Sequence, residues 1–343
     1  MLRLVDRLPH VEADRLIAEL VAPPRFAAES FATYLPDPAQ PTQSAAVAGL
    51  RAFSVVLNAP TPAPRFRLRR AAPPEGRAGV YLDGGFGVGK THLLAALWHE
   101  APAPRAFGTF VEYTHLVGAL GFNSTVAALS AHRLVCIDEF ELDDPGDTVL
   151  MSTLLNRLVD AGVRLAATSN TLPDRLGEGR FAADDFLREI QGLSAHFDVY
   201  RIDGADYRHR GLPEAPAPLA EEHVVAAAQA VGEAGQAAST LDAFPDLMDH
   251  LSRVHPSRYG ALFDGVDRVH LTGVRQLTDQ ADALRLVVLV DRLYDRDIPV
   301  VASGVPLDDV FANDMLRGGY RKKYFRAVSR LAALAREGAG LTG

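Results

Sequence analysis
The chain of 343 residues contains a single cysteine, Cys136, so it forms no intrachain disulfide and no cysteine-rich zinc site. It also lacks any apolar run near the length of about 18 residues that a membrane helix requires. Its longest strongly apolar stretch is Leu286–Val290. The first twenty residues scatter Arg3, Asp6, Arg7, Glu12, Asp14 and Arg15 among their apolar side chains. That breaks the uninterrupted core of about 7–15 residues that defines a signal peptide. Together these absences predict a cytoplasmic protein. Positive charge is in deficit as well: 35 Lys and Arg against 43 Asp and Glu leave a net charge of −8. Non-specific nucleic-acid binding, which needs clustered cations, is therefore not expected. Lysine is scarcest of all. Only Lys90, Lys322 and Lys323 occur, and arginine supplies every other cation.

What is present is ordinary for a globular chain, with 48% apolar and 23% charged residues and enough length for about two domains. An amphipathic pattern (Val11, Leu16, Ile17, Leu20) ends at Pro23-Pro24, and residues 59–76 form a connector rich in proline and arginine. From Gly79 short apolar runs alternate with helical stretches. Val80–Leu82, Phe107–Tyr113, Leu134–Ile137, Val163–Thr168 and Val199–Ile202 are predicted strands, with helices through Trp98 and over Val149–Ala161. This alternation predicts a parallel sheet covered by helices on both faces. A proline-rich break at 213–218 precedes an alanine-rich helix (219–231) and a second mixed region. The expected division is an N-terminal helical segment and connector (1–76), a core (77–212) and a smaller C-terminal mixed α/β domain (213–343). Arg157–Asp160 with Val163–Ser169 echoes Arg292–Asp295 with Ile298–Ser303, as expected of two helix-to-strand units patterned alike.

Gly84-Gly85-Phe86-Gly87-Val88-Gly89-Lys90-Thr91 fits G-x-x-x-x-G-K-[ST] between a predicted strand and a predicted helix. Its glycines let backbone N–H groups converge on phosphate oxygens at a helix N-terminus. Lys90 supplies a point charge to the phosphates, and the Thr91 hydroxyl is placed to ligate Mg²⁺. The expected nucleotide-contacting set is Gly84, Gly85, Phe86, Gly87, Val88, Gly89, Lys90, Thr91 and His92. About 50 residues on, Leu134-Val135-Cys136-Ile137 runs into Asp138-Glu139, two carboxylates at the carboxyl edge of a buried strand. Asp138 would hold Mg²⁺ through water, and Glu139 would polarise an attacking water. The adjacent glutamate favours hydrolysis over transfer to a small acceptor, which disfavours a small-molecule kinase. Cys136 reads as a small core residue. A third strand ends in Thr168-Ser169-Asn170, where Asn170 is either a hydrogen-bonding sensor of the γ-phosphate or a capped turn. No N-K-x-D guanine loop exists among the remaining lysines, so ATP is the expected nucleotide. An asparagine-ended strand after the acidic strand is the arrangement of AAA+ ATPases, which usually act as rings with an arginine reaching a neighbour's nucleotide. The fold class expected is therefore α/β, a P-loop NTPase of the AAA+ type.

With these motifs in place the sequence resembles the ZapE-type cell-division ATPases, the AFG-like AAA+ family. The resemblance rests on Gly84–Thr91, Cys136–Phe140 with Asp144 and Asp147, Ala167–Asn170 with Pro173, Asp174 and Leu176, and Asp206-Tyr207-Arg208. It continues through Leu289-Val290-Asp291 with Tyr294, Val305-Pro306-Leu307 and Arg326–Leu331, covering most of 26–335. It implies an ATPase that uses ATP and Mg²⁺, oligomerises when nucleotide-bound, and acts on FtsZ or another division-ring protein. It further implies recruitment to the division site or the inner membrane surface, with a peripheral membrane contact. A nucleic-acid-associated ATPase such as a helicase loader is the alternative. Asp83 stands where the family usually has an aromatic or similar residue, and Asp184-Asp185 replaces an arginine pair. That leaves Arg180 as first candidate for the arginine finger and Arg188 as second. Arg285, Arg326 and Arg330 are candidates for a second sensor, and Gln43 for a contact near the adenine. The basic run Arg317, Arg321, Lys322, Lys323 and Arg326 is a solvated helix face, a phosphate contact or a lipid-surface contact.

Overall fold
The structure, a computed structural model, describes residues 2–9, 13–59, 77–85, 87–142, 145–173, 176, 187–204, 215–234 and 238–340. It divides into two compact units: Ala13–Ala22 with Phe26–Arg210, and Met1–Glu12 with Pro23–Arg25 and Gly211–Gly343.

In the first unit the elements run α1 (Ala13–Ala18), α2 (Pro41–Asn58), β1 (Gly79–Gly84), α3 (Lys90–Glu100), β2 (Arg105–Thr109), α4 (Phe110–Leu120) and α5 (Phe122–Leu129). They continue with β3 (Leu134–Asp138), α6 (Pro145–Asp160), β4 (Arg164–Ser169), α7 (Leu187–Ser194) and β5 (Phe197–Ile202). All strand pairs are parallel, in the order β2-β3-β4-β1-β5. The side-chain period of two sends successive residues to opposite faces. Val80 and Leu82 join Leu50, Leu93, Leu97, Cys136 and Ala166 in one core. Tyr81 joins Ile137, Leu154, Leu158, Leu165 and Phe197 in the other. Burying both faces explains why β3 reads as an unbroken apolar run, whereas the edge strand β5 exposes Asp198, Val199 and Arg201.

One expected strand is corrected. Phe107–Tyr113 is extended only as far as Thr109, where a helix begins. The Thr109 hydroxyl accepts from the Glu112 N–H, and the Glu112 carboxylate accepts from the Thr109 N–H at 2.6 Å. This capping box satisfies two helix-end donors and outweighs the β-preference of Phe110, Val111 and Tyr113.

The second unit contains α8 (Glu221–Ala234), β6 (Ser239–Ala243), α9 (Phe244–Arg253), α10 (Tyr259–Leu262), β7 (Arg268–Val274), α11 (Gln280–Asp295), β8 (Val300–Gly304) and α12 (Arg321–Gly340). Its sheet is parallel in the order β6-β7-β8. Leu2 bridges to Thr240, and the N–H groups of Leu4 and Val5 donate to the Asp242 carboxylate at 3.0 and 3.2 Å. The first residues of the chain are thus built into this unit. The core includes Leu4, Phe244, Leu251, Leu271, Val290, Phe311, Tyr324 and Leu331. The repeated helix-to-strand pattern noted in the sequence corresponds to α6–β4 in one unit and α11–β8 in the other.

Candidate nucleotide site
The site forms at the carboxyl ends of β1, β4 and β3, where a parallel sheet exposes strand ends to a ligand. Because β4 lies between β1 and β3, Asn170 comes to stand between the glycine loop and the Asp-Glu pair. Gly89 has φ +87°, a left-handed conformation that glycine takes without strain, and it leads into α3. No side chain caps α3, and its first turn carries no acidic residue. Its N-terminal amides and its positive dipole end therefore remain for an anion.

Lys90 Nζ donates to the carbonyls of Gly84 (2.9 Å) and Gly85 (2.6 Å) and to Asn170 Oδ1 (2.8 Å). Two carbonyls of the glycine loop and an asparagine distant in sequence are thereby within one ammonium's reach. The Thr91 hydroxyl donates to Asp138, 3.0 Å from Oδ2 and 3.3 Å from Oδ1. Asp138 is almost fully buried, and Thr168 on β4 donates its hydroxyl to Oδ1. Thr168 also accepts the Glu139 N–H at 3.0 Å, and its carbonyl accepts the Phe140 N–H at 2.7 Å. Glu139 itself adopts φ +56°, a strained value for a residue with a side chain. Thr168 therefore holds the turn that turns Glu139 away from the strand.

Two residues that the sequence reading passed over belong to this constellation. Thr168 was legible only as one of the polar residues that end β4. Glu141, buried, lies 3.4 Å from Asn170 Nδ2 and accepts from it, so the Asn170 amide bridges Glu141 and Lys90. The sequence offers no signal for that pairing beyond one more carboxylate after Asp138-Glu139. Asp83, buried at the end of β1, is 3.3 Å from Arg201 on the neighbouring strand, in register with it. Burial pushes its carboxyl above the usual carboxylate range, and the nearby Arg201 and Lys90 charges pull it partly back. Gln43 uses its amide on backbone: Nε2 donates to Asp203 O and Oε1 accepts from the Asp37 N–H, each at 2.8 Å.

The remaining candidates separate. Phe86, Arg180, Asp144, Asp174, Asp184, Asp185 and Asp206–Arg208 lie outside the described residues. Arg188 is exposed on α7. Arg285 pairs with Asp282 at 2.7 Å. Arg326 and Arg330 both bind Asp291, at 2.8 and 2.5 Å, inside the second unit. The basic run divides in the same way: Arg317 and Arg321 are exposed, and Lys323 lies 5.6 Å from the centre of the Tyr320 ring.

Among the described residues no cluster of three or more His, Cys, Asp or Glu could hold a metal ion. Thr91 and Asp138 nevertheless suit Mg²⁺. It takes hard oxygen donors, keeps several waters and draws further ligands from phosphate, so one hydroxyl beside one carboxylate is the expected protein share.

A glycine loop after β1, Asp-Glu after β3 and Asn after the strand inserted between them define a P-loop ATPase of the AAA+ class. The chain belongs to the AFG1-like ATPase family, whose model matches residues 10–239 and 226–339. It is similar to the Cell division protein ZapE of Escherichia coli strain K12, 29% identical over 299 residues, covering 76% of this chain and 78% of that protein. An uncharacterized protein of Schizosaccharomyces pombe is 28% identical over 148 residues, covering 38% of this chain and 33% of its own length. Among solved structures, the replication initiator DnaA bound to AMPPCP and single-stranded DNA is similar with a TM-score of 0.40 and 13% identity, covering 54% of this chain and 51% of that one.

Proposed function
We propose that this protein binds ATP with Mg²⁺ and hydrolyses it, using the energy to remodel a protein partner at the division site. The observation that carries the reading is the convergence of Lys90, Asn170, Thr91 and Asp138 at one sheet edge beside the uncapped start of α3. In the reaction Lys90 exchanges the Gly84 and Gly85 carbonyls for phosphate oxygens, and the loop amides neutralise the remaining phosphate charge. Thr91 and, through water, Asp138 would hold Mg²⁺, which would supply charge neutralisation on the phosphates. Glu139 orients and polarises the attacking water. Asn170, oriented by Glu141, hydrogen-bonds the γ-phosphate or that water. Arg180, or failing it Arg188, reaches the nucleotide of a neighbouring copy in a ring. The relative's name supports a place in cell division, and the family resemblance implies FtsZ or another division-ring protein as partner and the cytoplasmic face of the membrane as location. Among the described residues no helix is long and apolar enough to cross a membrane.

The test separates binding from chemistry. Lys90→Ala is expected to abolish ATP binding. Glu139→Gln should keep binding while turnover falls by about 100-fold or more, the usual share of a general base. Undiminished turnover in Glu139→Gln sinks the mechanism.

A further inference from the structure
The glycine loop is braced from outside by residues 29–34, a segment well before it in the chain. Residues 29–34 lie against the start of α3 within the same unit. His92, in the first turn of that helix, has Nδ1 3.3 Å from Glu29 Oε2 and Nε2 3.0 Å from the Ser30 carbonyl. The Thr33 hydroxyl stands 3.1 Å from His92 Nε2 and donates to Glu29 at 2.7 Å. Tyr34 follows directly. Its ring meets His92 edge-on at 5.4 Å, and its hydroxyl donates to the Val88 carbonyl at 3.0 Å. That ring also covers Gly89 so closely that a Cβ there would be 2.6 Å from Tyr34 Cε2.

The peptide that Tyr34 holds is the Val88–Gly89 unit of the phosphate-binding motif. In a planar trans peptide the C=O and the following N–H point in opposite directions. Fixing the Val88 carbonyl toward Tyr34 therefore aims the Gly89 N–H away from it. A free peptide in a glycine-rich loop can rotate between two orientations, and only one offers its N–H to an anion. Tyr34 is buried, and burial pushes its phenol up to about 12, so it remains a donor throughout the physiological range.

We infer that Tyr34 is a positioning residue that presets the phosphate loop, holding the Val88–Gly89 peptide in its anion-binding orientation before nucleotide arrives. Preorganisation of this kind raises affinity by removing an ordering cost from the binding step. The inference rests on the reading that residues 84–91 bind nucleotide phosphates. It assigns a binding role to the N-terminal segment, which contributes no atom of the motif itself.

The test measures the dissociation constants of ADP, and of ATP in a Glu139→Gln background, for Tyr34, Tyr34→Phe and Lys90→Ala chains. Thermal unfolding of each without nucleotide is measured alongside. Tyr34→Phe keeps the ring over Gly89 and removes only the hydroxyl. Loss of one hydrogen bond predicts affinity weakened about two- to tenfold for both nucleotides. Replacement of Tyr34 by para-aminophenylalanine, which keeps a donor in place, should restore it, and this variant also carries the test if Tyr34→Phe does not fold. A lowered melting temperature with unchanged affinity in Tyr34→Phe makes Tyr34 a packing residue only and overturns the inference, as does weak binding in the donor-bearing variant. Those results leave the nucleotide reading intact when the unsubstituted Tyr34 chain binds and Lys90→Ala does not. Absence of binding in the unsubstituted chain overturns both.

Discussion
At the scale of single residues, the site depends on side chains outside the glycine-loop and Asp-Glu motifs. Thr168 serves three groups: its hydroxyl donates to Asp138 and accepts from the Glu139 N–H, and its carbonyl accepts the Phe140 N–H. Without it the strained Glu139 turn loses the hydrogen bond that maintains its left-handed φ. Thr168→Val, similar in shape, is expected to lower kcat about tenfold or more while leaving nucleotide affinity within about twofold, because small misplacements of a reacting group are costly. Thr168→Ser should recover most of the rate. Equal loss in the Val and Ser variants would assign the effect to packing. Lys90, Thr91, Asp138 and Glu139 were legible from residue type and spacing. Thr168 and Glu141 were not, since a hydroxyl in a strand and a third carboxylate have no signature until the strands are placed side by side.

Elements show a similar contrast. Helix α3 was legible because glycine and Lys-Thr mark its start, whereas α4 was read as strand because aromatic and β-branched residues follow Thr109. In the second unit, α11 and α12 are joined through Asp291, which is 13% exposed and takes both Arg326 and Arg330. Tyr294 on α11 carries the Arg330 guanidinium 5.0 Å from its ring centre and that of Arg25 at 4.0 Å. Arg25 is fixed further by Asp297 and Glu337, each at 2.5 Å. Arg326 and Arg330, candidates for a second sensor in the sequence, are engaged in holding α11 and α12 together. Burial alone would raise the Asp291 carboxyl, but the two guanidiniums and their hydrogen bonds outweigh it and hold it below the usual carboxylate range. A depressed carboxyl contributes stability that is present above its unfolded value of about 3.9 and is lost as pH falls through the folded value. Asp291→Asn leaves two largely buried cations without their carboxylate and should destabilise the chain by about 3–5 kcal/mol in denaturant unfolding at pH 7. The difference between variant and parent should shrink in strong acid. A constant difference down to pH 2 would show that the charge is irrelevant.

On the scale of the whole molecule, the chain is two parallel-sheet units, and the first residues belong to the unit built by the last. The proline-rich break near 213 marked one passage between them. The return of residues 23–25 to the second unit had no compositional mark, because three residues are too few to carry a pattern. If the proposed arginine finger acts between copies, the active form is an oligomer. Light scattering of the Glu139→Gln chain is expected to show a multiple of the monomer mass with ATP and a smaller species without it. A monomer under both conditions removes Arg180 and Arg188 from the mechanism.

The motifs behind the proposed chemistry were determined by the sequence alone. A loop with glycine, lysine and threonine at set spacings, a strand ending in Asp-Glu, and a near absence of other lysines carry the proposal of phosphate binding through residue type. Covalent spacing within a motif survives any folding. What only the tertiary structure decided is which distant residues support that chemistry: Thr168 behind Asp138 and Glu139, Glu141 behind Asn170, and Tyr34 behind Val88. Strand order and the docking of an N-terminal segment create these contacts, and neither leaves a local pattern. The same packing decided that Arg326 and Arg330 serve Asp291, since one dimension cannot show which carboxylate an arginine will meet. The scarce lysine at position 90 is set apart by its motif, and the plentiful arginines acquired their partners only in the fold.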